Sequence, residues 1–274
     1  MAAEASPLLG WAQQLGQHAL PAFLLALLAA VLAGGVAGVL LRWRDARRTA
    51  ADAGGAPSFA RLLGGAAAGF ALVVGTASLF AAIADRLGPG RTMGLADQVL
   101  ADAIAQHTPA PALHAFALLT HLGDPLVLVG LAAVVAGWLW RKRERLLALG
   151  WLVALAGNAV LNPLLKQVFE RARPVHDPAL AQAMGFSFPS GHSSGAMVAY
   201  GMLLYVMVRM LPARWYPAAA MLALALIITT ACSRVFLRVH FASDVVAGLL
   251  SGLSWLVVCV VSVEVTRHRR LARL

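Results

Sequence analysis

The sequence predicts an all-α fold, a polytopic bundle of helices that cross a membrane, and three observations support this prediction. Of its 274 residues, 60% are hydrophobic and only 12% are charged, with a mean hydropathy of +0.77. A soluble domain of this length needs far more polar surface to cover its core. Apolar runs of about 20 residues, the length of a helix that crosses a bilayer, recur along the chain. Basic residues cluster in short segments that alternate with segments poor in them, as expected when the basic loops are cytoplasmic.

The apolar runs predict seven spans. They cover residues 20–41, 62–84, 113–140, 146–170, 190–211, 217–238 and 243–265. With the basic loops in the cytoplasm, the N-terminus is expected outside and the C-terminus inside. Asp124 followed by Pro125 suits the start of a helix, so the third span is expected to be bent or divided. Residues 93–107 have helical periodicity but are too polar to cross, which predicts an amphipathic helix at the outer surface.

The first span is expected to be an anchor added to a six-helix unit. Basic residues follow this span rather than precede it, which is atypical of a signal peptide. The predicted divisions are an N-terminal anchor with its cytoplasmic linker (1–61, the linker at 52–58), the six-helix unit (62–265) and a basic cytoplasmic tail (266–274). Glycines four residues apart, at Gly34 and Gly38 and again at Gly65 and Gly69, favour close helix packing over a dimer seam.

The formal net charge of +10 raises the possibility of a nucleic-acid partner, but the positions of the basic residues argue against it. Of 22 lysines and arginines, 15 lie in four short segments beside the predicted spans, at 42–61, 141–145, 209–214 and 267–273. This distribution indicates membrane topology. We therefore expect membrane lipids, and no nucleic acid, among the partners.

The first of three polar clusters is "KQVFERARP", residues 166–174, at the outer end of the fourth span. Lys166 and Arg173 are seven residues apart, which places both on one face of a helix. Pro174 disfavours a helix that continues to Arg173. Two cations that converge at one depth suit a phosphate, although basic anchors at a helix end would give the same pattern.

The second cluster is "PSGH", residues 189–192, at the start of the fifth span. Ser190 is a favoured N-cap, and Gly191 lets a ligand approach the backbone closely. The first amides of the helix are unpaired and lie at the positive end of its dipole, with His192 on the first turn. The pattern predicts an anion site, and a plain capped helix with an interfacial histidine is the alternative.

The third cluster is "SRVFLRVHFASD", residues 233–244, between the sixth and seventh spans. Arg234 offers a planar, permanently charged group suited to phosphate oxygens. His240 and Asp244 are four residues apart and adjacent if the segment is helical. A carboxylate on one imidazole nitrogen fixes the tautomer and leaves the other nitrogen free to attack, although Asp244 could instead only cap the last span.

Together the three motifs, K-x6-RP, PSGH and SR-x5-H-x3-D, resemble the complete tripartite signature of the type 2 phosphatidic acid phosphatase (PAP2) superfamily. This superfamily comprises membrane lipid phosphatases, glucose-6-phosphatase and soluble vanadium haloperoxidases, and the resemblance covers roughly residues 62–265. It implies that His240 is the nucleophile, that Asp244 orients it, and that His192 protonates the leaving oxygen and then helps to activate water. It also implies which groups bind the phosphoryl oxygens: Lys166, Arg173, Arg234, Ser190 and the Gly191 amide.

The resemblance implies a phosphatase that forms a phosphohistidine at the outer face of the cell (inner) membrane. The implied substrates are lipid phosphate monoesters or diphosphates of the phosphatidic acid, phosphatidylglycerol phosphate or undecaprenyl diphosphate class. A lipid phosphotransferase or a lipid A phosphatase on the same scaffold is an open alternative, and a non-catalytic anion transporter is a third. The transporter is disfavoured because no repeated pair of broken helices is present.

We expect no metal and no other cofactor. The acidic residues of the outer segments are scattered, and none is expected to pair with a histidine at a ligand spacing. Both cysteines, Cys232 and Cys259, lie in apolar runs without a CxxC pattern. Four further histidines are expected to lack a functional partner: His107, His114, His121 and His176.

Overall fold

The structure is a computed structural model that describes residues 7–51, 59–87 and 91–271, and these parts are almost entirely helical. The predicted linker at 52–58 lies outside the described residues. The α-helices are α1 (Pro7–Gln17), α2 (Ala19–Ala51), α3 (Phe59–Ala84), α4 (Thr92–His107), α5 (Ala110–Leu119), α6 (Pro125–Arg141), α7 (Arg145–Phe169), α8 (Gly191–Met210), α9 (Tyr216–Phe236) and α10 (Ala242–Leu271). Two short 3-10 helices lie at Thr120–Gly123 and Ala213–Trp215.

The predicted membrane spans are present as helices. Six helical segments of the described chain are long and apolar enough to cross a membrane, and a bent pair forms a seventh candidate. That pair, Ala110–Gly123 and Pro125–Arg141, is bent by 45° at Asp124, as predicted. The cause is local, because Asp124 has an extended backbone ahead of Pro125, and proline disfavours a helical residue before it. The fold is therefore that of a multi-pass membrane protein.

The predicted amphipathic segment is helix α4, and one of its faces is buried. Ala96, Asp97 and Ile104 lie on this face. Helix α1, which the sequence analysis did not predict, packs against α4. A side chain at Gly16 of α1 would collide with Ala103 of α4. Helices α1 and α4 thus form a paired layer, and α4 reaches the start of α10.

The N-terminal span packs directly on the six-helix unit through its glycines. A Cβ at Gly34 would lie 2.9 Å from the carbonyl oxygen of Ala220 on α9. A Cβ at Gly38 would lie 2.6 Å from the nitrogen of Pro217. Backbones approach this closely only when no side chain separates them. The structure therefore agrees with close helix packing at Gly34 and Gly38.

Small residues also determine how α8 and α10 meet. A Cβ at Gly248 would lie 2.5 Å from the carbonyl oxygen of Ser190, and one at Gly252 would lie 2.8 Å from that of Ser194. The first turns of α8 and α10 are consequently side by side. Trp151 of α7 is fully buried in the largest apolar core, which includes residues of both α8 and α10. This packing brings together the helix ends that bear the polar clusters.

Candidate active site

The three polar clusters meet at one end of the bundle. Helix α7 ends there, α8 and α10 begin there, and the turn after α9 lies between them. Backbone hydrogen bonds connect the segments: the Ser190 amide donates to the Asp244 carbonyl at 2.9 Å, and the Ser187 amide donates to the Arg171 carbonyl at 2.7 Å. Groups that are distant in sequence therefore lie close together at this end of the bundle.

His240 lies on the turn between α9 and α10 and is only 3% exposed. Its Nε2 faces Arg173, whose Nη1 is 3.1 Å away. Because a guanidinium can only donate, this contact requires a lone pair on Nε2 and places the proton of the neutral ring on Nδ1. Burial is the main reason that the pKa of His240 is lowered to about 3. The positive charges of Arg173 and Lys166 also lower this pKa, whereas Asp244 raises it. The imidazole is therefore neutral at physiological pH.

The predicted contact between His240 and Asp244 is looser than expected. His240 Nδ1 is 3.6 Å from Asp244 Oδ2, beyond hydrogen-bond length. The Ser187 hydroxyl lies 3.4 Å from the same nitrogen and donates to Asp244 Oδ2. Asp244 therefore lies beside the imidazole at a distance longer than a direct hydrogen bond, and its Oδ2 accepts from Ser187 and from a backbone amide.

Asp244 is fully buried and also caps its helix. Its Oδ2 accepts from the amide of Phe241 at 2.8 Å, three residues earlier, as in a capping box. Its Oδ1 accepts from Arg171 at 2.6 Å. The two roles that the sequence left open for Asp244, capping and lying beside the imidazole, therefore coexist.

The two cations of the first cluster are held by different parts of the chain. Helix α7 ends at Phe169, and the next residue, Glu170, has a left-handed backbone with φ 46°. The prediction that Lys166 and Arg173 share a helix face was therefore wrong, because the chain changes direction between them. Lys166 donates to the carbonyl of Phe186 from the last turn of α7.

Backbone carbonyls fix the Arg173 side chain. Its guanidinium donates to the carbonyl of Val239 at 2.6 Å and to those of Met184, Gly185 and Phe186 at 2.9–3.1 Å. Burial lowers the pKa of Arg173, and Asp244 partly offsets this effect. The four carbonyls hold the guanidinium directly beside Nε2 of His240.

Arg234 lies at the end of α9 and is 4% exposed. Its Nη1 donates to the hydroxyl of Thr120 at 2.6 Å. Its Nε has no partner within the described part of the chain, and neither has the hydroxyl of Thr230 one turn earlier. A buried donor without an acceptor is costly, and an anionic oxygen in the pocket would satisfy it.

His192 has a partner that the sequence analysis did not predict. Its Nε2 is 2.9 Å from Oδ1 of Asp124. The other oxygen of Asp124 is 2.6 Å from Nδ1 of His121. Asp124 thus contacts two histidines, and the expectation that His121 lacks a partner was wrong. Asp124 begins α6 but makes no side-chain cap, so its carboxylate is free to reach both histidines. Gly123 permits the approach, since a Cβ there would lie 2.9 Å from Cδ2 of His192.

Ser190 is the N-cap of α8, as predicted. Its side-chain oxygen accepts from the amide of Ser193 at 3.4 Å and from the Ser193 hydroxyl at 2.9 Å. It is fully buried, so its hydroxyl serves the helix start in this structure. Gly191 has no room for a side chain, because a Cβ would lie 2.9 Å from Oδ1 of Asn162.

The sequence analysis assigned no role to four residues that surround Asp244, namely Asp97, Arg171, Ser187 and Ser243. Arg171 lies within the first cluster, and Ser187 and Ser243 lie next to the other two. Asp97 lies on α4, more than 140 residues from Ser243. No group of three or more metal-ligating side chains is arranged to hold a metal ion in residues 7–51, 59–87 and 91–271.

Comparison with known proteins gives a consistent result. The chain matches the family model of the PAP2 superfamily over residues 145–267. It is 34% identical over 137 residues to phosphatidylglycerophosphatase B of Bacillus subtilis (strain 168). The aligned region covers 49% of this chain and 67% of that protein. It is also 31% identical over 173 residues to lipid A 1-phosphatase of Rhizobium johnstonii. That aligned region covers 54% of this chain and 66% of the relative.

A solved structure is similar as well. The crystal structure of a transmembrane PAP2 type phosphatidylglycerolphosphate phosphatase from Bacillus subtilis matches with a TM-score of 0.65 and 28% sequence identity. The match covers 68% of this chain and 93% of that one.

Proposed function

Because the chain belongs to the PAP2 superfamily, we propose that it is a membrane enzyme that hydrolyses a lipid phosphate through a phosphohistidine on His240. The observation that supports this most directly is the surroundings of His240. Its unprotonated Nε2 lies beside Arg173, in a pocket that Lys166 and Arg234 also line. A neutral nucleophile among three cations suits attack on a phosphoryl group, whose oxygens gain charge during transfer.

The first step is the transfer of the phosphoryl group to the enzyme. Nε2 of His240 attacks phosphorus, the N–P bond forms, and the P–O bond to the lipid breaks. His192 donates a proton to the departing oxygen. Lys166, Arg173 and Arg234 bind the phosphoryl oxygens, with the Gly191 amide at the start of α8 and Ser190 as further candidate donors. The step divides one difficult displacement into two easier ones.

The second step releases phosphate. His192 accepts a proton from water, the water oxygen attacks phosphorus, and the N–P bond to His240 breaks. Inorganic phosphate leaves, and His240 is neutral again. In this scheme Asp124 holds His192 by the 2.9 Å contact to Nε2, and Asp244 with Ser187 holds the protonated Nδ1 of His240. Each histidine therefore has a carboxylate behind it.

The substrate we favour is phosphatidylglycerol phosphate. This choice is supported by the relative that is 34% identical and by the similar solved structure, whose names both state this activity. Phosphatidic acid and undecaprenyl diphosphate are further candidates from the family resemblance. The likeness to lipid A 1-phosphatase favours a lipid A phosphate as the second candidate class. We further propose that the pocket faces the exterior of the cell (inner) membrane.

The experiment that tests this function is a hydrolysis panel on the purified protein in detergent. Phosphate release is measured with phosphatidylglycerol phosphate, phosphatidic acid, undecaprenyl diphosphate and a lipid A phosphate, and a second lipid is added as acceptor to detect transfer. We expect H240A to lose more than about 1,000-fold in kcat, because removal of a nucleophile leaves only binding and electrostatic stabilisation. The control is H114A, since His114 is exposed and, within the described residues, its side chain bonds to the carbonyl of Ala110 alone. Undiminished release by H240A would overturn the mechanism.

A further inference from the structure

We propose that Arg171 and Asp97 are positioning residues for His240, and that they act through Asp244 and the turn that bears the imidazole. This inference rests on the proposed function, because it assigns a task to groups behind the nucleophile. Neither residue belongs to the three motifs. Asp97 lies on α4, which precedes the helices that supply the motif residues.

The first step is the bridge that Arg171 makes between two carboxylates. Its Nη1 donates to Oδ1 of Asp244 at 2.6 Å, and its Nη2 donates to Oδ2 of Asp97 at 2.8 Å. Nη1 also donates to the hydroxyl of Ser243 at 2.7 Å. The planar guanidinium has donors on two separate nitrogens, which lets it bond two carboxylates on different helices at once. Arg171 therefore links α4 to the first turn of α10.

The second step is the hold on the turn itself. The guanidinium carbon of Arg171 lies 4.3 Å from the ring centre of Phe241, the residue directly after His240. The amide of Phe241 donates to the same Asp244 carboxylate that Arg171 bonds. Arg171 therefore contacts both the carboxylate beside the imidazole and the residue next to it. Movement of Arg171 would shift both supports of His240.

The third step concerns Asp97 and the start of α10. Its Oδ1 accepts from the amide of Ser243 at 3.2 Å, and its Oδ2 accepts from the Ser243 hydroxyl. An acid at the N-terminus of a helix is stabilised by the unpaired amides and the helix dipole. Asp97 thus fixes the start of α10 and also orients Arg171.

Burial makes this network rigid. The side chains of Arg171, Asp97 and Asp244 are 13%, 6% and 0% exposed. Charges this buried are stable only when they are paired, so loss of one leaves another uncompensated. Arg171 has no contact with the imidazole or with Lys166 and Arg173 among the described residues, so its effect on the reaction is indirect.

The test compares kcat and KM for phosphate release by R171M, R171K and D97N. We expect R171M to lower kcat by about 10- to 100-fold, the range found when a group that orients a reacting side chain is removed. KM should change by less than about threefold, because Arg171 does not touch the phosphate. R171K should fail to restore kcat, since an ammonium cannot bridge two carboxylates in this geometry. D97N preserves shape, and we expect a smaller loss in the same parameter.

Two further measurements separate positioning from folding. Millimolar guanidinium should partly restore kcat of R171A, while the same concentration of sodium chloride should not. The matched control is R209M, which removes another arginine ion pair between α8 and α10, with Glu264, far from the pocket. We expect R209M to lower thermal stability and to retain kcat.

The outcomes are distinguishable. A wild-type kcat in both R171M and D97N overturns the positioning role, as does an equal loss of kcat in R171M and R209M without guanidinium rescue of R171A. If H240A is fully active, the proposed function fails instead. If R171M does not fold, the isosteric D97N variant tests the positioning role instead. An unchanged kcat in D97N would then contradict a role for the Arg171 bridge between Asp97 and Asp244.

Discussion

At the scale of single residues, the two histidines of the pocket are supported in different ways. His240 has Asp244 four residues later on the same segment, whereas His192 is paired with Asp124, 68 residues earlier. The first pairing follows from sequence spacing, and the second exists only because the break before α6 lies beside the start of α8. Since Asp124 also contacts His121, its carboxylate is shared between a half-buried ring and an exposed one.

This arrangement predicts that Asp124 matters for the reaction and that His121 does not. We expect D124N to lower kcat by about 10- to 100-fold, because the asparagine keeps the shape but loses the charge that orients His192. Steady-state phosphate release from purified protein measures the effect. The control is H121Q, which removes the exposed partner of the same carboxylate and should stay within about twofold of wild type. A D124N enzyme as active as H121Q would contradict the pairing.

Sequence reasoning found the residues that we propose bind the phosphate but missed those that contact the two histidines from behind, for a physical reason. Lys166, Arg234 and His240 interrupt apolar runs, so local pattern alone marks them as costly and therefore functional. Asp97 and Asp124 lie in segments that are already polar, where a carboxylate is ordinary. Their importance comes from contacts that only the packed fold creates.

At the scale of helices, the predicted spans agree with the structure because each span depends on local composition. The end of α7 was less predictable. The left-handed backbone at Glu170 turns the chain four residues before Pro174, so the geometry expected for Lys166 and Arg173 on one helix did not form. Helix α1 was not predicted because its short amphipathic segment is stabilised by α4, and a helix of this length is marginal alone.

The packing of α2 on α9 gives a prediction at this scale. We expect G38L to lower the free energy of unfolding by about 1–3 kcal/mol, because the side chain must displace the backbone at Pro217. Thermal unfolding in detergent measures the change. The kcat for phosphate release should be retained, since Pro217 lies at the opposite end of α9 from Arg234.

The control for this variant is G35L, three residues earlier on the same helix. G35L adds the same side chain, but a Cβ at Gly35 meets only the flexible end of Met221 at 3.4 Å or more. We expect G35L to be near wild type in stability. If G38L is as stable as G35L but changes the oligomeric mass, the Gly34–Gly38 face is a dimer seam, and the packing interpretation is wrong.

At the scale of the whole molecule, the pocket and the basic segments at 141–145, 209–214 and 267–271 lie at opposite ends of the helices. Helix α7 begins at Arg145 and ends at the pocket, whereas α8 and α10 begin at the pocket and end beside Arg209 and Arg269. This separation follows from helix direction alone. Because basic loops are retained in the cytoplasm, this arrangement supports our proposal that the pocket faces the exterior, where it would meet lipids of the outer leaflet.

Labelling of single cysteines tests this orientation in the intact membrane. In a background where Cys232 and Cys259 are replaced by alanine, D177C marks the pocket side and K142C marks the loop between α6 and α7, both at exposed positions. We expect a membrane-impermeant maleimide to label D177C in intact cells and K142C only after permeabilisation. Activity retained in the cysteine-free background shows that the fold is intact. The reverse labelling would place the pocket in the cytoplasm, and the substrate would then have to come from the inner leaflet.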